Sequence, residues 1–294
     1  MALSLTAQAA DISVPVSKRS AVTWTGWYAG VSAGYGWSNS HVDPRGSSTF
    51  CNDATLAIFA CTPNNFPAIS PNSLSIAQAT AIPASLLTHP SGAMLGGHLG
   101  YDYQFGSWVA GLETDLSWAN INGSNAQFGG AQVFNFFGSP AINSQAIAEQ
   151  RFRYFGTLRG RLGYLPADSL LLFVTGGLAY AQVSSSLTLA EGLTPGACGG
   201  PPGCGPITSA ISSYSRTRVG GTVGFGAEFI LPQQQHWSFK AEYLYFNLGS
   251  ASYQSTLTQA DTNGVPISAV AVNTNVTFSG SIFRAGFNYR FSQY

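Results

Sequence analysis

The chain has 294 residues, of which only 8% are charged, whereas about 25% are charged in an ordinary soluble domain. Its 12 basic and 12 acidic residues give a net charge of zero, and no basic tail is present, which argues against a nucleic-acid partner. Aromatic residues reach 13%, yet 34 glycines interrupt every apolar stretch before the roughly 18 residues that a transmembrane helix needs.

The N-terminus contains Ala7-Gln8-Ala9, which fits the small-x-small pattern of a signal-peptide cleavage site and would leave Ala10 as the mature start. The segment lacks the cationic start and the full apolar stretch of a complete signal peptide. We interpret residues 1–9 as a residual signal-peptide segment and residues 10–23 as a periplasmic extension. A plain disordered terminus is the alternative.

Eight stretches then alternate between apolar and polar or small residues, which is the period of a β-strand with two different faces. In chain order they read "WYAGVSAGYGW", "MLGGHLGYDY", "WVAGLETDLSW", "FRYFGTLRGRLGYL", "LLLFVTGGLAYA", "RTRVGGTVGFGAEF", "WSFKAEYLY" and "FRAGFNYRF". The fifth is the least regular. In the fourth, Arg153, Arg159 and Arg161 share one parity, while the aromatic residues and leucines of the quoted stretch, apart from Phe155 and Leu165, share the other.

The connections between these strands alternate in length. Short turns lie around "FGS", "PADS" and "LPQQQH", whereas the other connections are long, neutral and polar. The long loops are predicted at about 38–92, 119–149, 184–214 and 247–280. An even number of antiparallel strands with short turns at one end and long loops at the other is typical of a bacterial outer-membrane barrel. The sequence therefore predicts an all-β, eight-stranded antiparallel transmembrane up-and-down β-barrel over residues 24–294.

A soluble barrel with its faces reversed would show the same alternation, so the spacing of the aromatic residues decides between the two. Ten residues at about 3.3 Å each, tilted by about 40°, span roughly 25 Å, which is the height of the apolar band between the aromatic girdles of a membrane barrel. Three strands carry apolar-face aromatics at this spacing. These predicted membrane-interface aromatics are Trp27 with Trp37, Trp108 with Trp118, and Tyr154 with Tyr164.

The opposite face of the strands carries most of the charge, and we predict that it lines the interior of the barrel, because charge facing lipid costs about 2 to 4 kcal/mol at the bilayer midplane. The predicted lumen charge network consists of Asp102, Glu113, Asp115, Arg153, Arg159, Arg161, Arg218, Glu228, Lys240, Glu242, Arg284 and Arg290. The same parity turns Arg151 and Arg216 inward. Nine bases against five acids then give the interior a positive excess of about four.

The four cysteines form two local pairs, Cys51 with Cys61 and Cys198 with Cys204, each within one polar stretch. In an exported protein such pairs predict two local disulfides. Metal binding is the alternative, although neither pair shows a CxxC step or a nearby run of histidines.

The stretches "WTGWYAGVSAGYGW", "GLETDLSW", "RGRLGY", "LFVTGGLAYA" and "FRAGFNYRF" together resemble the outer-membrane immunogenic protein family of alphaproteobacteria, which are porin-like barrels related to the outer-membrane protein A barrel. The resemblance covers the predicted strands and not the long loops. It implies an exported barrel in the bacterial outer membrane with surface-exposed loops. It also implies that the last strand carries the insertion signal read by the barrel-assembly machinery, here matched by Phe287, Tyr289 and Phe291. The chain departs from this pattern by adding Ser292, Gln293 and Tyr294 after the expected terminal aromatic.

Eight strands enclose an interior only wide enough for side chains to fill it. We therefore predict an outer-membrane surface protein with a structural role in the envelope and a lumen largely filled by charged side chains. Its expected partners are outer-membrane lipid, lipopolysaccharide, the assembly machinery, and host or environmental surfaces.

The alternative is a narrow porin-like channel for small solutes with a weak anion preference, since inward glycines such as Gly30 and Gly100 could admit water. An enzyme acting on lipid is a third reading, because His98 and Asp102 share a face, but a hydrogen bond within the lumen is the simpler interpretation. We expect no catalytic activity, no cofactor and no metal.

Overall fold

The computed structural model of the chain describes residues 23–48, 73–132, 141–193, 208–231, 233–260 and 266–291. The predicted signal segment and all four cysteines lie outside these residues, and so does Tyr294. The described residues contain one nine-residue helix, and no helix among them is long and apolar enough to cross a membrane.

The described residues form ten strands and one helix, and the prediction of an all-β, antiparallel fold is confirmed. The elements are β1 (Gly26–Ser38), β2 (Ser40–Ser48), α1 (Ser73–Ala81), β3 (Leu86–Thr88), β4 (Ser91–Phe105), β5 (Trp108–Gln132), β6 (Ala141–Ala167), β7 (Leu170–Leu193), β8 (Thr208–Ile230), β9 (Trp237–Ala260) and β10 (Pro266–Arg290).

The sheet closes on itself. Each strand from β4 to β9 pairs antiparallel with the next one in the chain, and β1 pairs with both β4 and β10. The three short turns lie at one end of this ring, at 106–107, 168–169 and 231–236, and Gly106 has a left-handed φ of 64°. We call this the turn end, and the opposite end the loop end.

Two strands of the ring are interrupted and then resume. Only Asn39 separates β1 from β2, and only His89 and Pro90 separate β3 from β4. The strand β10 pairs with β1 through residues 280–290 and with β2 through residues 270–276. Because β2 also pairs with β3, the two short strands continue the paths of β1 and β4 toward the loop end.

The ring does not stay closed along its whole length. In the described ladders, β8 and β9 pair from the turn end only as far as Gly221 opposite Asn247, and β4 and β5 pair as far as Ser91 opposite Asn122. Beyond these points the sheet divides into β5–β8 on one side and β9, β10, β2 and β3 on the other. Gly249, with φ of 75°, redirects β9 at this division. We call the closed part the barrel section and the divided part the sandwich section.

The sandwich section has an apolar interior. Val183, Leu187 and Leu189 on β7 are fully buried in the same cluster as Leu257 on β9 and Val270 on β10. Aromatic rings join the two sheets, since Tyr214 stacks on Tyr253 and on Phe278. The helix α1 packs against this core through Ala79, and Leu74, Ala77 and Ala81 form a separate apolar cluster with Ile142 of β6.

The strands run much farther than the sequence predicted. Most of the described residues in the predicted loops 119–149, 184–214 and 247–280 are strand, and β2, β3 and α1 lie within the predicted loop 38–92. The prediction missed them because the polarity of the two faces inverts in the sandwich section. Serine and threonine alternate there with buried Val183, Leu187 and Leu189, as expected of a sheet that faces water.

Candidate functional site: the charged interior of the barrel section

The outer face of the barrel section is apolar. Large hydrophobic side chains such as Leu95, Leu112 and Val223 are exposed there. Of the six predicted interface aromatics, Tyr154 is half-buried and the other five are exposed: Trp27, Trp37, Trp108, Trp118 and Tyr164.

The register arranges four of these aromatics in two rows. It places Trp108 opposite Tyr164 near the turn end and Trp118 opposite Tyr154 toward the loop end. The first pair is in edge contact, with ring centroids 5.4 Å apart. The two rows therefore lie ten residues apart along β5 and along β6, with exposed leucines between them.

The inner face of the barrel section carries ten buried charged side chains. They comprise the acids Asp102, Glu113, Asp115, Glu228 and Glu242 and the bases Arg159, Arg161, Lys240, Arg284 and Arg290. Inward and outward positions alternate along each strand, so charges from six strands converge in one interior. All ten belong to the predicted lumen network.

Four of these residues form an ion cluster nearest the turn end. Nη2 of Arg161 lies 2.9 Å from Oε2 of Glu228, and Nε of Arg161 lies 3.0 Å from Oδ1 of Asp102. Nη2 of Arg290 lies 3.0 Å from Oδ2 of Asp102 and 2.9 Å from Oε1 of Glu228. Each arginine thus meets two carboxylates, and Ser238 donates a further hydrogen bond to Glu228. The charges satisfy one another, as ions held away from water require.

The other six residues form a second cluster toward the loop end. Arg159 contacts Glu113 at 2.5 Å and Glu242 at 2.9 Å. Arg284 contacts Glu242 at 2.6 Å and Asp115 at 2.8 Å, and Lys240 contacts Glu113 at 2.6 Å.

Tyr28 joins the two clusters. Its hydroxyl donates to Glu113 at 2.8 Å and accepts from Arg161 at 3.2 Å. The guanidinium groups of Arg161 and Arg290 both lie 5.1 Å from the centre of its ring. Tyr28 has the opposite parity from Trp27, so its inward position could have been predicted from the sequence.

Two glycines allow this packing. A side chain at Gly100 would collide with the ring of Tyr28, and one at Gly30 would collide with His98 and Asn288. Glycine at these positions makes room for neighbouring side chains, and the two sites do not form the water-filled gaps on which the channel alternative relied.

His98 and Asp102 share the inner face as predicted, but each has other partners. Nε2 of His98 shares a hydrogen bond with Oδ1 of Asn288, and Asp102 is paired with Arg161 and Arg290. Within the described chain no group of three or more His, Cys, Asp or Glu residues is arranged to hold a metal ion.

Trp24, which the sequence analysis did not single out, closes the turn end and is fully buried. Its indole Nε1 donates to the carbonyl of Asp168 at 3.0 Å, and the Arg290 guanidinium lies 4.4 Å from its ring centre. Gly26, where β1 begins, has a φ of 139°, a conformation that favours glycine.

Two residues of the predicted network lie elsewhere. Arg153 is exposed, because an irregularity in β6 between Phe152 and Phe155 changes which parity faces inward. Arg218 is half-buried where β8 and β9 separate, and its Nη2 donates to the backbone carbonyls of Leu248 at 3.2 Å and Ser250 at 2.6 Å.

The predicted positive excess of the interior is therefore wrong. Arg151 and Arg216 are also exposed, and with Arg153 and Arg218 they account for the four extra bases. The network contains five acids and five bases, so it is electrically balanced, and the predicted basis for an anion preference disappears.

The predicted insertion-signal residues Phe287, Tyr289 and Phe291 are all exposed at the outer face. Tyr289 is in edge contact with Phe291, with ring centroids 5.4 Å apart. Recognition of these residues by the assembly machinery remains a prediction.

An isolated acid lies in the sandwich section. Glu191 is buried on β7 opposite Ser144. Burial raises the pKa of its carboxyl to about 7, and polar contacts with Ser144 and with Gln78 of α1 oppose that rise. The sequence analysis missed this residue because it lies in a stretch predicted as loop.

Comparison with known proteins identifies the family to which this closed sheet belongs. The family described as "Outer membrane protein beta-barrel domain" matches residues 1–291. The 31 kDa outer-membrane immunogenic protein of Brucella melitensis is 30% identical over 195 residues, covering 65% of this chain and 69% of that protein.

Two solved structures are similar at low identity. The outer membrane protein OprG of Pseudomonas aeruginosa is 15% identical, with a TM-score of 0.35 and coverage of 92% of this chain and 97% of that one. The attachment invasion locus protein Ail of Yersinia pestis is 12% identical, with a TM-score of 0.26 and coverage of 88% and 99%. Since both TM-scores are below 0.5, the assignment depends on the family match over almost the whole chain. The chain belongs to the outer-membrane β-barrel protein family and is a surface protein of the bacterial outer membrane.

Proposed function

We propose that the chain is a closed, non-conducting envelope barrel of eight membrane-spanning strands that carries a rigid extracellular section. The count of eight follows if β2 continues β1 and β3 continues β4. The one-residue and two-residue interruptions and the shared pairing along β10 support this count. The turn end then lies in the periplasm, since outer-membrane barrels have their short turns on that side.

The observation that carries the proposal is the filling of the interior. Ten balanced charges occupy the barrel section, Trp24 lies across the turn end, and apolar side chains of the two sheets lie above the charges. Opening a water-filled path would separate ion pairs that stabilise one another and would expose the apolar core to water.

We infer a structural role, in which the barrel anchors the sandwich section at the cell surface. Outer-membrane lipid, lipopolysaccharide, the assembly machinery, and host or environmental surfaces are the partners that such a role implies. A catalytic role finds no support in the interior, because His98 and Asp102 are held by Asn288 and by two arginines.

The test is single-channel recording in a planar bilayer, with the folded state checked first on a detergent gel. We expect the unboiled protein to migrate faster than the boiled protein and to give no reproducible step currents. Reproducible steps from the same heat-modifiable preparation would contradict the closed interior and favour the porin-like alternative. A single gel band at one position would contradict the membrane barrel itself.

A further inference from the structure

Two arginines lie on the outer wall just beyond the apolar band. Arg151 and Arg153 are exposed on β6, three residues and one residue, respectively, from Tyr154 toward the loop end. Along a strand tilted by about 40°, each residue advances roughly 2.5 Å along the membrane normal, so the arginines stand about 3 to 8 Å beyond the Tyr154 row. That level is occupied by lipid head groups.

The strand irregularity is what turns these arginines outward. On the turn-end side of it, Arg159 and Arg161 have odd numbers and face inward. On the loop-end side, the even-numbered Phe152 is buried and the odd-numbered Arg151 is exposed. A regular strand would bury both outer arginines in the interior, where the five bases already match five acids.

A recess of about 340 Å³ lies beside the two arginines and crosses four strands. One row of the ladder places Asn122, Arg151, Ser184 and Ser215 side by side, and the next row places Ser124, Glu149, Ser186 and Ser213. The hydroxyls of Ser184 and Ser215 lie 2.9 Å apart and share a hydrogen bond. These hydroxyl and amide groups can donate to and accept from sugar hydroxyls.

The arginines have no carboxylate partner in the described part of the chain. No ion pair there includes Arg151 or Arg153, in contrast to the interior arginines, each of which meets at least two acids. Glu149 lines the same recess, so the recess carries two bases and one acid.

We propose that this recess binds the phosphate groups of a phosphorylated glycolipid of the outer leaflet. Arg151 and Arg153 contact the phosphate oxygens, since the planar guanidinium fork matches phosphate geometry. The serine hydroxyls and Asn122 contact the sugar, and the apolar wall below, including Trp118, meets the acyl chains. The site rests on the proposed orientation, with the loop end outside the cell.

The test uses the full chain folded in detergent micelles, with native mass spectrometry as the readout. The probes are bis-phosphorylated lipid A, the same lipid A after removal of both phosphates, and inorganic phosphate. We expect the phosphorylated lipid to bind at least tenfold more tightly than the dephosphorylated lipid, and inorganic phosphate at equal concentration not to displace it.

Variants locate the site. Arg151→Gln with Arg153→Gln should weaken binding of the phosphorylated lipid at least tenfold, and Glu149→Gln should strengthen it. Arg45→Gln is the matched control, because Arg45 is an exposed arginine on β2, outside the recess lining. Each variant must first show the heat-modifiable band, so that loss of the barrel is distinguished from loss of the site.

Three outcomes would overturn the proposal. Equal binding of the two forms of lipid A would exclude phosphate recognition. Equal loss of phosphorylated lipid A binding in the double variant and in Arg45→Gln would indicate that the net charge of the protein alone attracts the lipid. Displacement by inorganic phosphate at equal concentration would assign the recess to free phosphate and exclude the glycolipid.

Discussion

In both the barrel section and the sandwich section, apolar and polar side chains alternate along each strand. The apolar side chains face outward in the barrel section and inward in the sandwich section. In the barrel section, β7 turns Leu172, Val174 and Leu178 outward to the apolar band. Farther along the same strand, Ser184 and Ser186 take the outward positions, while Leu187 joins the buried core. The strand continues through the change without a break. Because β7 pairs antiparallel with its neighbours in both sections, the surroundings of the strand, and not its hydrogen bonding, decide which face is apolar.

The interiors differ in how they are held together. In the barrel section, buried charges are stabilised by multiple ion pairs, which depend strongly on every partner being present. In the sandwich section, apolar packing dominates, and its energy is spread over many contacts. Substitutions in the two sections should therefore destabilise the protein in different ways.

Removing one acid from the charged interior should give the largest effect. Glu228→Ala leaves Arg161 and Arg290 with one carboxylate fewer each and should lower the free energy of unfolding by about 3 to 5 kcal/mol. Urea unfolding in lipid vesicles, followed by tryptophan fluorescence, measures this change. The exposed Glu149→Ala should stay within about 0.5 kcal/mol. Equal effects of the two substitutions would contradict the paired interior.

The cost of placing an arginine on the outer face should show whether that position meets lipid or water. Leu112→Arg lies midway between the two aromatic rows and should cost about 2 to 4 kcal/mol in vesicles. Ile211→Arg places the same charge on an exposed, apolar position of β8 in the sandwich section and should cost little. Urea unfolding in lipid vesicles measures the free energy of unfolding of both variants. A similar cost at both positions would mean that Leu112 does not face the membrane interior.

A cavity in the sandwich section should loosen that section alone. Leu187→Ala removes a fully buried side chain and should cost about 2 to 4 kcal/mol. Because the barrel section keeps its own interior, the heat-modifiable band should persist while protease cleaves the loop-end half faster. Loss of the band together with that cleavage would show that the two sections unfold as one unit. The exposed Ser186→Ala provides the control.

The buried Glu191 should make the sandwich section sensitive to pH. Its pKa is raised from 4.5 to about 7 in the folded chain, so the folded state favours the protonated form. The stabilising contribution is complete below pH 4.5 and disappears as the pH rises through 7, which makes the sandwich section weaker at pH 8 than at pH 5 by about 2 to 3 kcal/mol. Protease resistance at the two pH values measures this difference. Glu191→Gln should abolish this pH dependence. If the variant keeps the full difference between pH 5 and pH 8, another group causes it.

The strands of the barrel section could be predicted from the sequence because most of them show both faces clearly. Ten of the twelve predicted network residues lie together in the interior, since parity within one regular strand determines the face. The prediction failed at Arg153, where an irregular pairing adds a residue and reverses the parity. It also failed at Arg218, where two strands part and the side chain binds free carbonyls. Nothing in the identity of these residues distinguishes them from Arg159 or Arg161.

By itself, the sequence determined the all-β class, the outer-membrane location and the apolar outer band, because these follow from composition, from the period of two and from the ten-residue spacing of aromatic residues on one face. Only the tertiary structure decided how far the strands extend, how the ring divides, and that the interior charges balance. Those features depend on register between strands that are distant in the chain, and a one-residue change in register moves a side chain from one face to the other.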